Sequence, residues 1–272
     1  MYRYVIKTAR TVCNYYISIF EKFQVFLFRR VKMEQIYTIP VNEAFEASRD
    51  DAACGCPLCA LYNKLENNEL ETILGASMME PDIRIKTNKE GFCRTHYDMM
   101  FVRKNRLSMA LTLESHLDEL ISDLKGGGLL SIGQKPQKRV AELERSCYVC
   151  RKIDFNFVHM IETVVYLWDK DEEFVEKLKA QPYFCLPHYR ALLECADNRL
   201  QKKKAAAFSR DCSEIVNKYL AELKGDISWF CKKFDYRYGD EPWYNSKDSV
   251  ERSIKFLRSD IHLPDPPKNQ PN

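Results

Sequence analysis

Phe92-Cys93-Arg-Thr-His96-Tyr97 and Phe184-Cys185-Leu-Pro-His188-Tyr189 are the two stretches whose reading decides the fold. Each follows a paired-cysteine motif. After Cys56-Pro-Leu-Cys59, 33 residues intervene before Cys93, and after Cys147-Tyr-Val-Cys150, 34 intervene before Cys185. Four ligand-type residues with a flanking Phe and Tyr thus recur in the same order, with a single-residue difference in length. The chain reads as an internal duplication of one unit.

The spacings carry chemistry. Two cysteines separated by two residues can turn both sulfurs toward one ion, and a Cys and a His three apart share a face of a helix's first turn. Pro57 and Pro187 suit that first turn, where the missing N–H is not needed. Each unit offers three thiolates and one imidazole, a full tetrahedral set without an open position, which argues for a structural ion rather than a catalytic one. In chain order, Cys56, Cys59, Cys93 and His96 would hold one Zn2+ ion, and Cys147, Cys150, Cys185 and His188 a second. Exchange of ligand halves between the units stays open at this point. Zinc ranks ahead of an iron–sulfur cluster because sulfur-rich tetrahedral sites suit it. Haem attachment is not expected, since Ala60 and Arg151, not His, follow the two pairs.

Outward from the motifs the chain reads as all-α. Glycine is scarce, with 9 in 272 residues, and Leu, Lys, Glu and Ala fill long periodic stretches. Each Cys-x-x-His leads into a helical pattern that runs to a Leu-Lys-Gly, at Leu124-Lys125-Gly126 and Leu223-Lys224-Gly225. Leu113, Leu117, Leu120, Ile121 and Leu124 mark one face of the first, and Val216, Tyr219, Leu220 and Leu223 one face of the second. Both stripes are expected in the core. A further helix lies between each Cys-x-x-Cys and its Cys-x-x-His; in the second unit it carries Phe157, Val158, Ile161, Val164, Val165 and Trp168. A short helix at 41–48 precedes the first motif. An aromatic stretch from Trp229 to Tyr238, a turn at Asp240-Glu-Pro-Trp243 and a last helix at 247–257 follow the second unit.

The domain reading is a basic extension at 1–32, a first Cys/His repeat at 33–132, a second at 133–258, and a disordered proline-rich tail at 259–272. The repeats pack into one helical assembly. A glycine-rich break at Gly126-Gly-Gly128, with Gly133 and Pro136, separates them. The extension holds seven basic side chains and one acid, a net of +6, which leaves about −3 of the total +3 for the rest. Its aromatic, basic character suits a helix on a membrane surface; the plainer reading takes Met33 as the natural first residue. An acidic body disfavours nucleic acid as a partner, because that affinity comes from neutralising phosphates. Eleven cysteines without a secretory signal or a membrane-spanning run point to a cytoplasmic chain with metal-binding or redox-active thiols.

The function expected from these residues is a zinc-binding, non-enzymatic interaction or regulatory protein; a protein partner is conceivable, and its oligomeric state stays open. Two other classes compete. A thiol-based redox enzyme or sensor would use Cys56 and Cys59, although no βαβ pattern surrounds them. A helical enzyme would use a pocket between the units near Trp168, His159 and the Trp229–Trp243 aromatics. Cys54 has no counterpart in the second unit and reads as a spare thiol, and Cys13, Cys195, Cys212 and Cys231 as buried small hydrophobes. His116 is not a repeated ligand, and His159 with Glu162 reads as a surface contact.

Ile36-Tyr-Thr-Ile-Pro-Val-Asn-Glu-Ala-Phe45, Cys56-Pro-Leu-Cys59, Gly91-Phe-Cys-Arg-Thr-His96, Tyr183-Phe-Cys-Leu-Pro-His-Tyr189, Lys233-Phe-Asp-Tyr-Arg237 and Asp240-Glu-Pro-Trp243 together resemble an uncharacterised bacterial family of unknown function. The resemblance spans about Met33 to Leu257. It implies a cytoplasmic helical protein with paired Cys motifs and carries no activity over. Transporter substrate-binding labels sometimes given to members do not suit this chain, which lacks an alternating β/α pattern and a lipoprotein signal.

Overall fold

The computed structural model describes residues 36–103, 105–125 and 134–263. The basic extension, the glycines between 126 and 133, Cys13 and the tail from 264 lie outside the described residues. Among the described residues there are eleven α-helices and no strand, as composition and periodicity predict. Helix α1 covers 36–50, longer than the expected 41–48. Then follow α2 (Pro57–Leu74), α3 (Pro81–Glu90), α4 (Arg94–Val102) and α5 (Arg106–Lys125). The second half runs α6 (Gln134–Arg145), α7 (Tyr148–Lys170), α8 (Glu172–Lys179), α9 (Leu186–Arg199), α10 (Lys202–Lys232) and α11 (Ser249–Arg258).

The core forms around α2 and α7, which pack against each other. Leu58, Leu61, Leu70 and Ile73 of α2 are buried, and so are Val149, Ile153, Phe157, Met160, Ile161, Val164 and Val165 of α7. The latter follow the three-to-four-residue spacing of one helix face. Val158, expected with them, points away and is exposed. Helices α9, α10 and α11 pack on one another beside α7. Phe256 of α11 is fully buried there against Tyr219, with ring centroids 5.4 Å apart.

Helix α1 closes the other side. Phe45 meets Phe174 of α8 at 5.1 Å and Phe184 at 6.1 Å, all three without exposed surface. Phe184 adjoins Cys185, so this aromatic trio fixes the backbone from which the second Cys-x-x-His starts. Phe174→Ala is expected to destabilise the protein by about 3–5 kcal/mol, the usual effect of emptying a fully buried aromatic site. Chemical denaturation of the two proteins measures it, and a loss well below 1 kcal/mol would show the trio to be slack.

Several expectations are corrected. Most of the Leu113–Leu124 stripe of α5 is not core: Leu113 packs against the core, but Leu117, Ile121 and Leu124 are 55%, 49% and 44% exposed. Helix α5 instead turns Ser108, Met109, Thr112 and His116 inward, and hydrogen bonds hold it to α3. Ser115 Oγ donates to Asn88 Oδ1 at 2.8 Å, His116 Nδ1 to the Asn88 carbonyl at 2.7 Å, and Arg84 to the Leu111 carbonyl at 2.6 Å. The corresponding face of α10 is largely buried at Val216 and Leu223, with Leu220 exposed.

Gly225 does not end its helix, since α10 continues to Lys232. The cost of about 1 kcal/mol for a helical glycine is offset by tertiary anchoring just beyond it, where Asp226 accepts from Arg252 at 2.9 Å and from Asn245 at 3.1 Å. Asp260–Leu263, expected within the tail, is hydrogen-bonded along α2. Of the single cysteines, Cys212 is buried as expected, Cys195 is half-buried and Cys231 is exposed.

Candidate metal centres

Four helices begin at a cysteine. Cys56, Cys93, Cys147 and Cys185 are the N-cap residues of α2, α4, α7 and α9, each with extended backbone angles. Cys59, His96, Cys150 and His188 follow three residues later, in the first turn. The residue before Cys56 is Gly55, at φ 71° and ψ −145°, where a Cβ would stand 2.9 Å from the Tyr183 hydroxyl. Only glycine adopts that conformation without strain.

The eight residues form two groups, but not in chain order. Cys56 and Cys59 meet Cys185 and His188; Cys93 and His96 meet Cys147 and Cys150. The pairing of Cys56 and Cys59 with Cys93 and His96, and of Cys147 and Cys150 with Cys185 and His188, is therefore corrected, and the exchanged arrangement is the observed one. The reason lies in how α2 and α7 pack. Helix α2 starts in the first cluster, and its Glu66, ten residues on, reaches His96 of the second. Helix α7 starts in the second cluster, and its Phe157, ten residues on, packs on His188 of the first, with ring centroids 5.2 Å apart. The two helices run antiparallel, and ten residues of helical rise place the clusters about 15 Å apart.

Within each cluster the donor atoms converge. In the first, His188 Nδ1 lies 3.2 Å from Cys185 Sγ, 3.4 Å from Cys59 Sγ and 3.7 Å from Cys56 Sγ, and Cys59 and Cys185 are 3.7 Å apart. In the second, His96 Nδ1 lies 3.1 Å from Cys93, 3.3 Å from Cys147 and 3.4 Å from Cys150, and Cys93 and Cys150 are 3.8 Å apart. A tetrahedral ion with Zn–S of about 2.3 Å and Zn–N of about 2.0–2.1 Å requires edges of about 3.8 Å between sulfurs and about 3.5 Å from sulfur to nitrogen. The observed separations are of that size.

Both centres are sheltered. Cys56, Cys59, Cys185 and His188 are buried, as are His96 and Cys147, with Cys93 and Cys150 half-buried. Two helix N-termini point at each cluster, and their partial positive charge favours thiolates. Burial pushes the Cys147 thiol up, but the His96 imidazole and the Cys150 backbone N–H outweigh it and hold the thiol at about 6. Burial likewise raises Cys150, and the neighbouring Cys147 raises it further, since a second thiolate beside the first is repelled. In the first cluster burial raises Cys56, and the hydrogen bonds of Cys185, Cys59 and His188 reverse it to well below the ordinary range. Cys59 is raised, by Cys185 and Cys56 first and by burial next. Thiols so placed cannot all ionise unless a cation sits among them.

Second contacts orient the ligands. His96 presents Nδ1 to the sulfurs and donates from Nε2 to Glu66 Oε1 at 2.9 Å. Glu66 has no exposed surface and also accepts from His262 Nδ1 at 2.6 Å. Sequence reasoning missed Glu66. Its signal was an acid on the apolar face of α2, four residues from Tyr62 and Leu70 and seven from Ile73. Tyr148 N donates to the Gly91 carbonyl at 3.0 Å and Arg151 pairs with Glu90 at 2.6 Å, which pins the start of α7 beside Cys93.

The remaining candidates do not join a centre. Cys54 is exposed. His159 meets Glu162 at 3.3 Å, and Glu162 also pairs with Arg199, an ordinary helix-surface contact. Trp168 donates to Asp211 at 2.9 Å and packs on Phe208, so it fills space rather than opening a pocket. A groove of about 1080 Å³ lies elsewhere, between Gly55, Tyr183, α10 and α11. No helix among the described residues is long and apolar enough to cross a membrane.

Fold and centres together define an all-helical protein with two Cys3His-type clusters that could hold metal ions. The chain belongs to the Family of unknown function (DUF6062), whose family model matches residues 32–264. No curated protein and no solved structure matches it.

Proposed function

We propose that this protein is a zinc-stabilised, non-enzymatic helical scaffold with an interaction or regulatory role in a reducing compartment. Cys56, Cys59, Cys185 and His188 hold one Zn2+ ion, and Cys93, His96, Cys147 and Cys150 hold the other. The observation that carries the reading is that three sulfurs converge on one imidazole nitrogen in each set at 3.1–3.7 Å, with one sulfur pair in each at 3.7 or 3.8 Å, the size of zinc-tetrahedron edges, and all four donors within 4.8 Å of one another. Each set is complete with four protein ligands and leaves no position for substrate or activated water, which favours a structural ion. The same order of long helix, short helix, Cys-x-x-His helix and long helix in α2–α5 and α7–α10 supports an origin by duplication.

Burial weighs against thiol–disulfide chemistry at Cys56 and Cys59. Reactive cysteines sit in partly exposed, electropositive surroundings, whereas these two are 2% and 4% exposed.

Elemental mass spectrometry of the purified full chain, combined with a thiol count, tests the proposal. Two zinc ions per chain are expected, with the six cluster thiols unreactive until a chelator is added. A metal-free protein with freely reactive cluster thiols would overturn it, and iron with acid-labile sulfide would replace zinc by a cluster.

A further inference from the structure

Beyond the last helix the chain turns back along α2. Ser259 and His262 both adopt positive φ, 71° and 67°, a conformation that residues other than glycine hold only when their surroundings enforce it. What enforces it is a run of hydrogen bonds to one face of α2. Asn63 Nδ2 donates to the Asp260 carbonyl at 2.8 Å, and Asn63 Oδ1 accepts from Leu263 N at 3.2 Å. One turn on, Asn67 Nδ2 donates to the Leu263 carbonyl at 2.9 Å. The Asp260 carboxylate is anchored by Lys255 of α11 at 2.8 Å.

This short segment touches both metal centres. Asp260 N donates to Cys59 Sγ in the first cluster at 3.4 Å. His262 donates to Glu66, which holds the ring of His96 in the second. Glu66, His96 and His262 lie close enough to suggest a third ion, but both rings already bond Glu66 Oε1, the His96 ring through Nε2 and the His262 ring through Nδ1, while Glu66 Oε2 is buried without a partner. A ring that gives Nδ1 to the sulfurs keeps its proton on Nε2, and Glu66 accepts it, as it accepts the proton of His262.

We propose that Asp260–Leu263 is a strap that clamps both centres at once and slows loss of their metal. The proposal rests on the zinc reading above. An N–H bonded to a metal-bound thiolate draws charge from the sulfur, which makes it a poorer target for protons, competing chelators and electrophiles. A carboxylate oxygen shared by His96 and His262 keeps the His96 ring in its liganding orientation, and such outer partners are worth about 10–100-fold in metal affinity. Because α2 carries Cys59, Asn63, Glu66 and Asn67 on successive turns, one segment lying along it reaches both centres without a further element.

The test compares three zinc-loaded proteins: the full chain, the chain ending at Ser259, and His262→Ala in the full chain. Zinc transfer to a chromophoric chelator gives the release rates, and mass mapping of alkylated cysteines shows which centre opened. The shortened chain is expected to release both ions about tenfold or more faster. His262→Ala should accelerate only the ion held with Cys93, Cys147 and Cys150, with Cys56, Cys59 and Cys185 protected as before. His262 is 37% exposed, so its replacement decides the matter even if the shortened chain does not fold. Release from His262→Ala at the full chain's rate in both centres overturns the strap. A full chain that binds no zinc overturns the earlier reading instead, and the metal count separates the two failures.

Discussion

Cys185→Ser is expected to bind one zinc ion instead of two, and the ion lost is the one held by Cys56 and Cys59. Chain order would assign Cys185 to Cys147 and Cys150, but the structure sets its sulfur 3.7 Å from Cys59. Serine is a poor zinc ligand, and three donors without the fourth leave an open, weakened site. Differential alkylation followed by mass mapping reads the outcome: Cys56 and Cys59 become reactive, whereas Cys93, Cys147 and Cys150 stay protected. Reactive Cys147 and Cys150 with a protected Cys56 would restore the chain-order pairing and contradict the antiparallel placement of α2 and α7. The variant should also be much less stable, because metal-binding free energy is folding free energy when the unfolded chain has no site.

Removing both ions is expected to abolish the cooperative fold. The first centre joins residues 132 positions apart, Cys56 and His188, and the second joins positions 51 apart, His96 and Cys147. Without an ion each centre leaves buried sulfurs that cannot ionise together without repelling one another, and the packing of α2 on α7 alone must then close those long loops. Structural zinc contributes about 10–16 kcal/mol in small zinc-folded peptides, whereas the whole net stability of a domain is about 5–15 kcal/mol. Losing two such ions therefore exceeds what the apolar core retains. Chelation followed by circular dichroism checks this. Near-ultraviolet signal and a sharp thermal transition should disappear and return on adding zinc, while part of the helical signal persists, since the long α10 is rich in the good helix formers Ala, Lys, Leu and Glu. An apo protein that melts sharply at the holo temperature would show the ions to be incidental.

These two outcomes separate what is written locally from what is not. The helical class followed from periodicity and scarce glycine. The eight donors followed from spacing, because a Cys at an N-cap and a second ligand three residues on are fixed by one turn of helix. Where sequence reading failed, the deciding interaction lay between distant segments. The stripe Leu117, Ile121 and Leu124 has the period of a core face, yet hydrogen bonds from Arg84, Ser115 and His116 hold the opposite face of α5 to α3. Gly225 reads as a stop, yet Asp226 is anchored by Arg252.

By itself, then, the sequence determined the helical class, the eight Cys and His residues that could hold metal, and the first-turn geometry that aims each pair. Each pair has the same local chemistry as its counterpart, so nothing within a motif chooses a partner. Only the tertiary structure decided that choice, because the antiparallel packing of α2 on α7 sets each helix start beside the other half's Cys-x-x-His. The same packing buries Glu66 behind His96 and gives the returning chain a surface on which Asp260 and His262 reach both centres.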